Sequence, residues 1–229
     1  MQLVDRIEKR RFVGREFLLW LWFESELFDG TLTTKEHGSF GFWIERQIIL
    51  TRAKEATRIA GVQPAAAREA KESLLLGKMP EAAAFHISMG NHETTFTLKA
   101  ERLLVTGLKL PTVLGTTPDA PPVDLSKARR PPPRRKREEV ARQEQRESDE
   151  AHESFYERMQ LTRDFEAVLE ALYRDFLTLR LGEAWEGVAV QLRAWAAGED
   201  VDAEAYRAER DRSMGGARRA PARARAAAR

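Results

Sequence analysis

The sequence predicts an α+β fold: a mainly antiparallel sheet with a buried N-terminal helix and a short second helix, then a Pro/Arg-rich linker and a C-terminal helical hairpin. Three observations carry this prediction. A run of seven apolar residues lies in a proline-free stretch, a tight-turn signal at Gly90-Asn91 is flanked by alternating residues, and an apolar three-and-four spacing begins only after a proline-rich break.

Residues 12–28 read as the first helix, with Gly14 near its start. Its run Phe17-Leu18-Leu19-Trp20-Leu21-Trp22-Phe23 leaves no polar side, so the helix is expected to be buried all round. Asp29-Gly30 ends it in a turn. Residues 39–51 switch to β-branched and aromatic types, Phe40, Phe42, Ile44, Ile48 and Leu50, around polar Glu45-Arg46-Gln47, and read as two strands or one bent strand. Pro64 is expected to open a short helix that runs to Leu76 and stops at Gly77.

The hairpin of residues 82–98 is the clearest local signal, because Gly90 supplies the positive φ required at the first position of a two-residue turn. That turn sets Met89 opposite His92, Ile87 opposite Thr94 and Phe85 opposite Phe96, leaving His86, Ser88, Glu93 and Thr95 on the other face. A further strand follows over 103–110. Residues 1–111 are thus expected to form the α+β domain.

Seven of the ten prolines fall between Pro111 and Pro133, which predicts an extended, unpacked linker over 112–136. Beyond it an acidic helix is expected, with a seam at Phe155, Thr162, Phe165, Leu169, Leu172, Phe176 and Leu179. Gly182 breaks it, and Trp185, Val188, Leu192 and Trp195 complete a hairpin within 137–197. The Ala/Arg-rich segment 198–229 is expected to be disordered.

Composition narrows the function. There is no cysteine, so disulfides, thiolate zinc sites and cysteine nucleophiles are excluded. No apolar stretch reaches the roughly 20 residues of a membrane span, and no leader pattern is read, so a cytoplasmic protein is expected. His86 and His92 fall on opposite faces of the hairpin and do not form a shared metal site. Acidic pairs such as Glu24 and Glu26 are common on helix ends, and no phosphate-loop, dinucleotide or nucleophile-elbow motif occurs. No catalytic residue, metal or cofactor is expected, and the chain reads as a binder rather than an enzyme.

The net charge of +2 hides a strong division. Residues 1–126 are balanced, 127–137 carry seven basic and no acidic side chains, 138–211 carry nine basic and 20 acidic, and 212–229 carry six basic and none acidic. Lys127, Arg129, Arg130, Arg134, Arg135, Lys136 and Arg137 form a cationic segment able to neutralise DNA phosphates. In the folded part Lys54, Arg58, Lys78 and Lys99 are further candidate phosphate contacts. The alternative is a protein-interaction module that docks through the acidic helical hairpin.

The run Arg10-Arg11-Phe12-Val13-Gly14-Arg15-Glu16-Phe17-Leu18-Leu19-Trp20-Leu21-Trp22-Phe23-Glu24-Ser25-Glu26 resembles a helix of the recombination-associated RdgC family, in particular its short members. The order continues in a similar way with Leu76-Gly77-Lys78 before the long hairpin, Phe96-Thr97-Leu98 inside it and Leu108-Lys109-Leu110-Pro111 closing the next strand. Residues 155–181 are similar to the family's C-terminal helix. The match is to the C-terminal part of the family. This resemblance implies a homodimeric protein of the nucleoid that binds double-stranded DNA with little sequence preference. It also implies that RecA-driven recombination is modulated, with RecA–DNA filaments as indirect partners.

Overall fold

The computed structural model describes residues 3–111 and 134–216, with side chains described over 13–111 and 155–214. In chain order the elements are α1 (Leu3–Leu27), β1 (Thr31–Thr34), β2 (Gly38–Arg52), β3 (Glu55–Gly61), α2 (Arg68–Leu75), β4 (Met79–Met89), β5 (His92–Lys99), β6 (Leu104–Lys109), α3 (Arg134–Leu181), α4 (Trp185–Ala196) and α5 (Ala203–Gly216). They form two compact units, one of residues 1–109 with 168–229 and the other of 110–167. The fold is α+β with an antiparallel six-stranded sheet.

The sheet runs β1-β2-β4-β5-β6, with β3 paired to β2 as well. β1 takes the first half of β2, from Gly38 to Gly41, and β3 takes the second, from Arg46 to Arg52, so both lie along the same edge of one long strand. β2 is one strand rather than two because it bends at a bulge. Its partners on β4 jump from Phe85, opposite Ile44, to Ala83, opposite Ile48, and Arg46 takes a φ of 69° inside the jump. The 82–98 hairpin has the expected register, Met89 opposite His92 and Phe85 opposite Phe96, and Gly90 has a φ of 57°.

The apolar run of α1 is buried because the helix is enclosed by other elements. Beneath it lie the inward residues of the sheet, Phe42, Ile44, Ile48, Phe85, Ile87, Phe96 and Leu98, all buried. Above it, Phe17 meets Tyr173 and Phe176 of α3, Trp22 and Phe23 meet Trp195 of α4, and Phe23 meets Tyr206 of α5. Near its middle α1 crosses the β5–β6 connection at Gly14, where an added Cβ would stand 2.1 Å from the Ala100 carbonyl oxygen. Only glycine permits that approach.

Several expectations change. α1 begins at Leu3 rather than at residue 12, and β1 and β3 were not foreseen. Pro64 sits in a turn upstream of α2, whose first residue is Arg68. Residues 134–136 are helical rather than linker, while 112–133 lie outside the described residues. The seam of α3 is buried at Phe165, Val168, Leu172, Phe176 and Leu179, but Phe155 is 58% exposed. The α3 and α4 seams meet chiefly through α1, although Phe176 also contacts Trp185. The segment expected to be disordered contains α5, with Tyr206 and Arg210 buried, and only 217–229 lie outside the described residues.

Candidate nucleic-acid interface

With α1 on one face, the other face of the sheet presents the polar half of each strand's alternation. Register places Trp43, His86, Thr95 and Lys109 in one row across β2, β4, β5 and β6. A neighbouring row runs Arg58, Ile49, Ala82, Lys99. Between them the bulge of β2 sets Glu45, Arg46 and Gln47 beside Ala84 and Thr97. A shallow hollow of about 410 Å³ lies here, lined in part by Arg46, Gln47, Arg58, Thr95, Thr97 and Lys109. Arg46, Arg58, Lys99 and Lys109 are exposed, and Thr95 and Thr97 are half-buried.

Trp43 is the aromatic of this face. Its indole stacks on the His86 imidazole with ring centroids 4.3 Å apart and planes 14° from parallel, yet 37% of the residue stays exposed. His86 Nδ1 lies 3.3 Å from Glu45 Oε2, and its Nε2 is buried without a hydrogen-bond partner among the described residues. Gly41 makes room for the indole, since a Cβ there would come within 2.9 Å of its Cζ3. A second groove of about 640 Å³ opens beside Trp43, bordered by Asp29, Thr31, Gln63 and Ser88.

The structure divides the basic residues singled out from the sequence. Arg58 and Lys99 belong to the outward face, and Lys54 is exposed at the β2–β3 turn. Lys78 does not belong with them: its ammonium is largely buried, donates to Thr57 Oγ1 at 2.8 Å and lies 3.8 Å from Glu55. Arg134, Arg135, Lys136 and Arg137 are the first residues of α3, with side chains outside the described set, and Arg129 and Arg130 lie wholly outside it. Arg46, Lys109 and Trp43 were missed. The alternation of Trp43 and Glu45 with buried Phe42 and Ile44 was the signal that could have found the face.

No family model matches the chain, and no curated protein or solved structure matches it. The remaining charged clusters hold the helices together. Glu24 is fully buried, accepting hydrogen bonds from the Tyr206 hydroxyl and, at 2.6 Å, from Arg210, while Trp20 Nε1 donates to the Tyr206 oxygen. Burial raises the Glu24 carboxyl above its usual range, partly offset by Arg210 and Tyr206. Glu26 accepts from Trp22, Trp195 and Lys71, and the Lys71 ammonium sits 3.1 Å from the centroid of the Trp195 ring. Burial lowers the Lys71 amine, against the pull of Glu26. Among the described residues no cluster of three His, Asp or Glu side chains could hold a metal ion, and no helix is long and apolar enough to cross a membrane.

Proposed function

We propose that this chain binds DNA through the phosphate backbone without reading sequence, acts by occupancy rather than catalysis, and thereby modulates recombination. The observation that carries the DNA-binding reading is the outward sheet face, where Arg46, Arg58, Lys99 and Lys109 surround a row of hydroxyl-bearing residues. Cations at such positions release counterions from phosphates, and threonine hydroxyls can donate to the same oxygens. A sheet with strands about 4.8 Å apart is broader than a major groove about 12 Å wide, so this face can follow a backbone but cannot enter the groove to read base edges. Arg129, Arg130 and Arg134 to Arg137 are a separate candidate source of positive charge. The link to RecA, the nucleoid location and the homodimer rest on the RdgC resemblance.

Binding to random-sequence duplex over a range of salt concentrations tests this. Affinity should fall steeply with salt. Replacing Arg46, Arg58, Lys99 and Lys109 together by Ala should flatten the slope of log affinity against log salt by up to about 0.9 for each phosphate no longer neutralised. If Ala at Arg134, Arg135, Lys136 and Arg137 flattens the slope while the sheet variant does not, the interface lies off the sheet. Absence of binding at low salt rejects the reading.

One feature favours a protein-interaction module instead. On α3, Phe155 and Tyr156 are 58% and 67% exposed and Met159 is 38% exposed, an apolar patch outside the buried seam of the helix. Self-association that disappears on Phe155→Ser with Tyr156→Ser, in a protein that binds no DNA, would establish that function.

A further inference from the structure

We infer that the Trp43–His86 stack is a platform for an unpaired nucleobase, so that the sheet face takes single-stranded nucleic acid through base stacking as well as through phosphate binding. This deepens the DNA-binding reading and rests on it. Four of the five tryptophans lie among the helices, with Trp20, Trp22 and Trp195 buried and Trp185 against Arg180 and Phe176. Trp43 alone sits on the sheet, its indole held on the outward face by the stack on His86 and by the space at Gly41. An indole exposed on a polar face is removed from water when a planar group covers it, so the position has an energetic use for a π-faced ligand.

The chemistry around the indole selects which planar ligand. In the same cross-strand row Lys109 lies three strands away, about 14 Å at normal strand spacing, and Arg46 follows Trp43 by three residues on β2. Glu45 and Glu93 flank the His86 ring, so these cations suit phosphates one or two nucleotides along a strand from the stacked base better than they suit a lone aromatic side chain. Beside the indole, the groove of about 640 Å³ has Asp29, Thr31, Gln63 and Ser88 on its border, groups that can meet the donors and acceptors of a base edge. A base inside a duplex keeps both faces stacked on its neighbours and cannot reach this indole, whereas a single strand offers its faces freely.

Three probes of equal length test the inference: a dT oligonucleotide, a strand of the same phosphate count with abasic sugars, and a random duplex. In the unaltered protein dT should bind about five- to tenfold more tightly than the abasic strand, the lower end of what one base–aromatic stack contributes. Trp43→Ala should abolish that difference and leave duplex affinity unchanged, and Trp43→Phe should keep most of it. Tryptophan emission should be quenched by dT in the unaltered protein and not in Trp43→Phe. Equal binding of dT and abasic strands, or a preference that survives Trp43→Ala, overturns the platform while leaving phosphate binding intact. No binding to any probe at low salt overturns both. If Trp43→Ala fails to fold, the abasic comparison together with the loss of emission quenching in Trp43→Phe decides the matter.

Discussion

At the scale of single residues, the acidic pair at the end of α1 shows how chemistry and architecture can be confused in a sequence. Glu24 and Glu26 have the look of ordinary helix-end acids, and nothing near them says otherwise. Apart from Trp22, one turn from Glu26, their partners come from far along the chain: Tyr206 and Arg210 for Glu24, Lys71 and Trp195 for Glu26. A local reading could not find them. Glu24 should also give the protein an unusual response to acid. Its carboxyl is raised above the ordinary 4.5 chiefly by burial, so the folded state holds that proton more tightly than the unfolded state. As pH falls from the raised value towards 4.5 this group adds stability, fully gained below 4.5. Because Gln cannot titrate, the stability of the unaltered protein relative to Glu24→Gln should rise across that window. Denaturant midpoints at several pH values check this, and a flat or falling difference would mean that Arg210 keeps the carboxylate ionised throughout.

At the scale of elements, legibility followed the strength of the local code. The β4–β5 hairpin was readable to the residue because a glycine turn fixes register and a one-residue slip would bring His86 and Ser88 into the core. β1 and β3 were not, because Thr31–Thr34 buries only Leu32 and Thr34, and in Glu55–Gly61 the one buried residue is Ile59. α5 was hidden for a similar reason: its sequence is charged and alanine-rich, and it docks through one tyrosine and one arginine. The apolar spacing of α3 was visible, yet it could not show where burial stops. That limit is measurable. Phe165 is 1% exposed and Phe155 is 58% exposed. Phe165→Ala should cost about 3–5 kcal/mol, the usual range for a buried phenylalanine, and Phe155→Ala should stay within about 0.5 kcal/mol. Chemical denaturation of the two variants reads the difference directly, and equal losses would mean that the seam is covered along its whole length in solution.

At the scale of the whole molecule, the sequence showed where basic charge accumulates but hid where the folded surface presents it. Residues 1–126 balance to zero by count, which conceals that Arg46 and Lys109 join Arg58 and Lys99 on the outward sheet face, while Lys78, which looked equivalent to them, is held by Thr57 and Glu55. The division at the prolines was equally incomplete. The main compact unit joins residues 1–109 to 168–229, so it is discontinuous in sequence. A chain truncated after residue 167 should therefore keep the sheet but expose the upper side of α1, and should bind a hydrophobic dye that the full chain does not. Dye binding no greater than that of the full chain would show that the sheet and α1 suffice as a folding unit. During synthesis the same layout imposes a wait. Trp20, Phe23 and Glu24 leave the ribosome roughly 10–40 s before α5 at about 5–20 residues per second, and for that interval an aromatic surface is without its cover. Slower translation across the acidic stretch of α3 would lengthen that interval, so soluble yield should fall as that stretch is decoded more slowly.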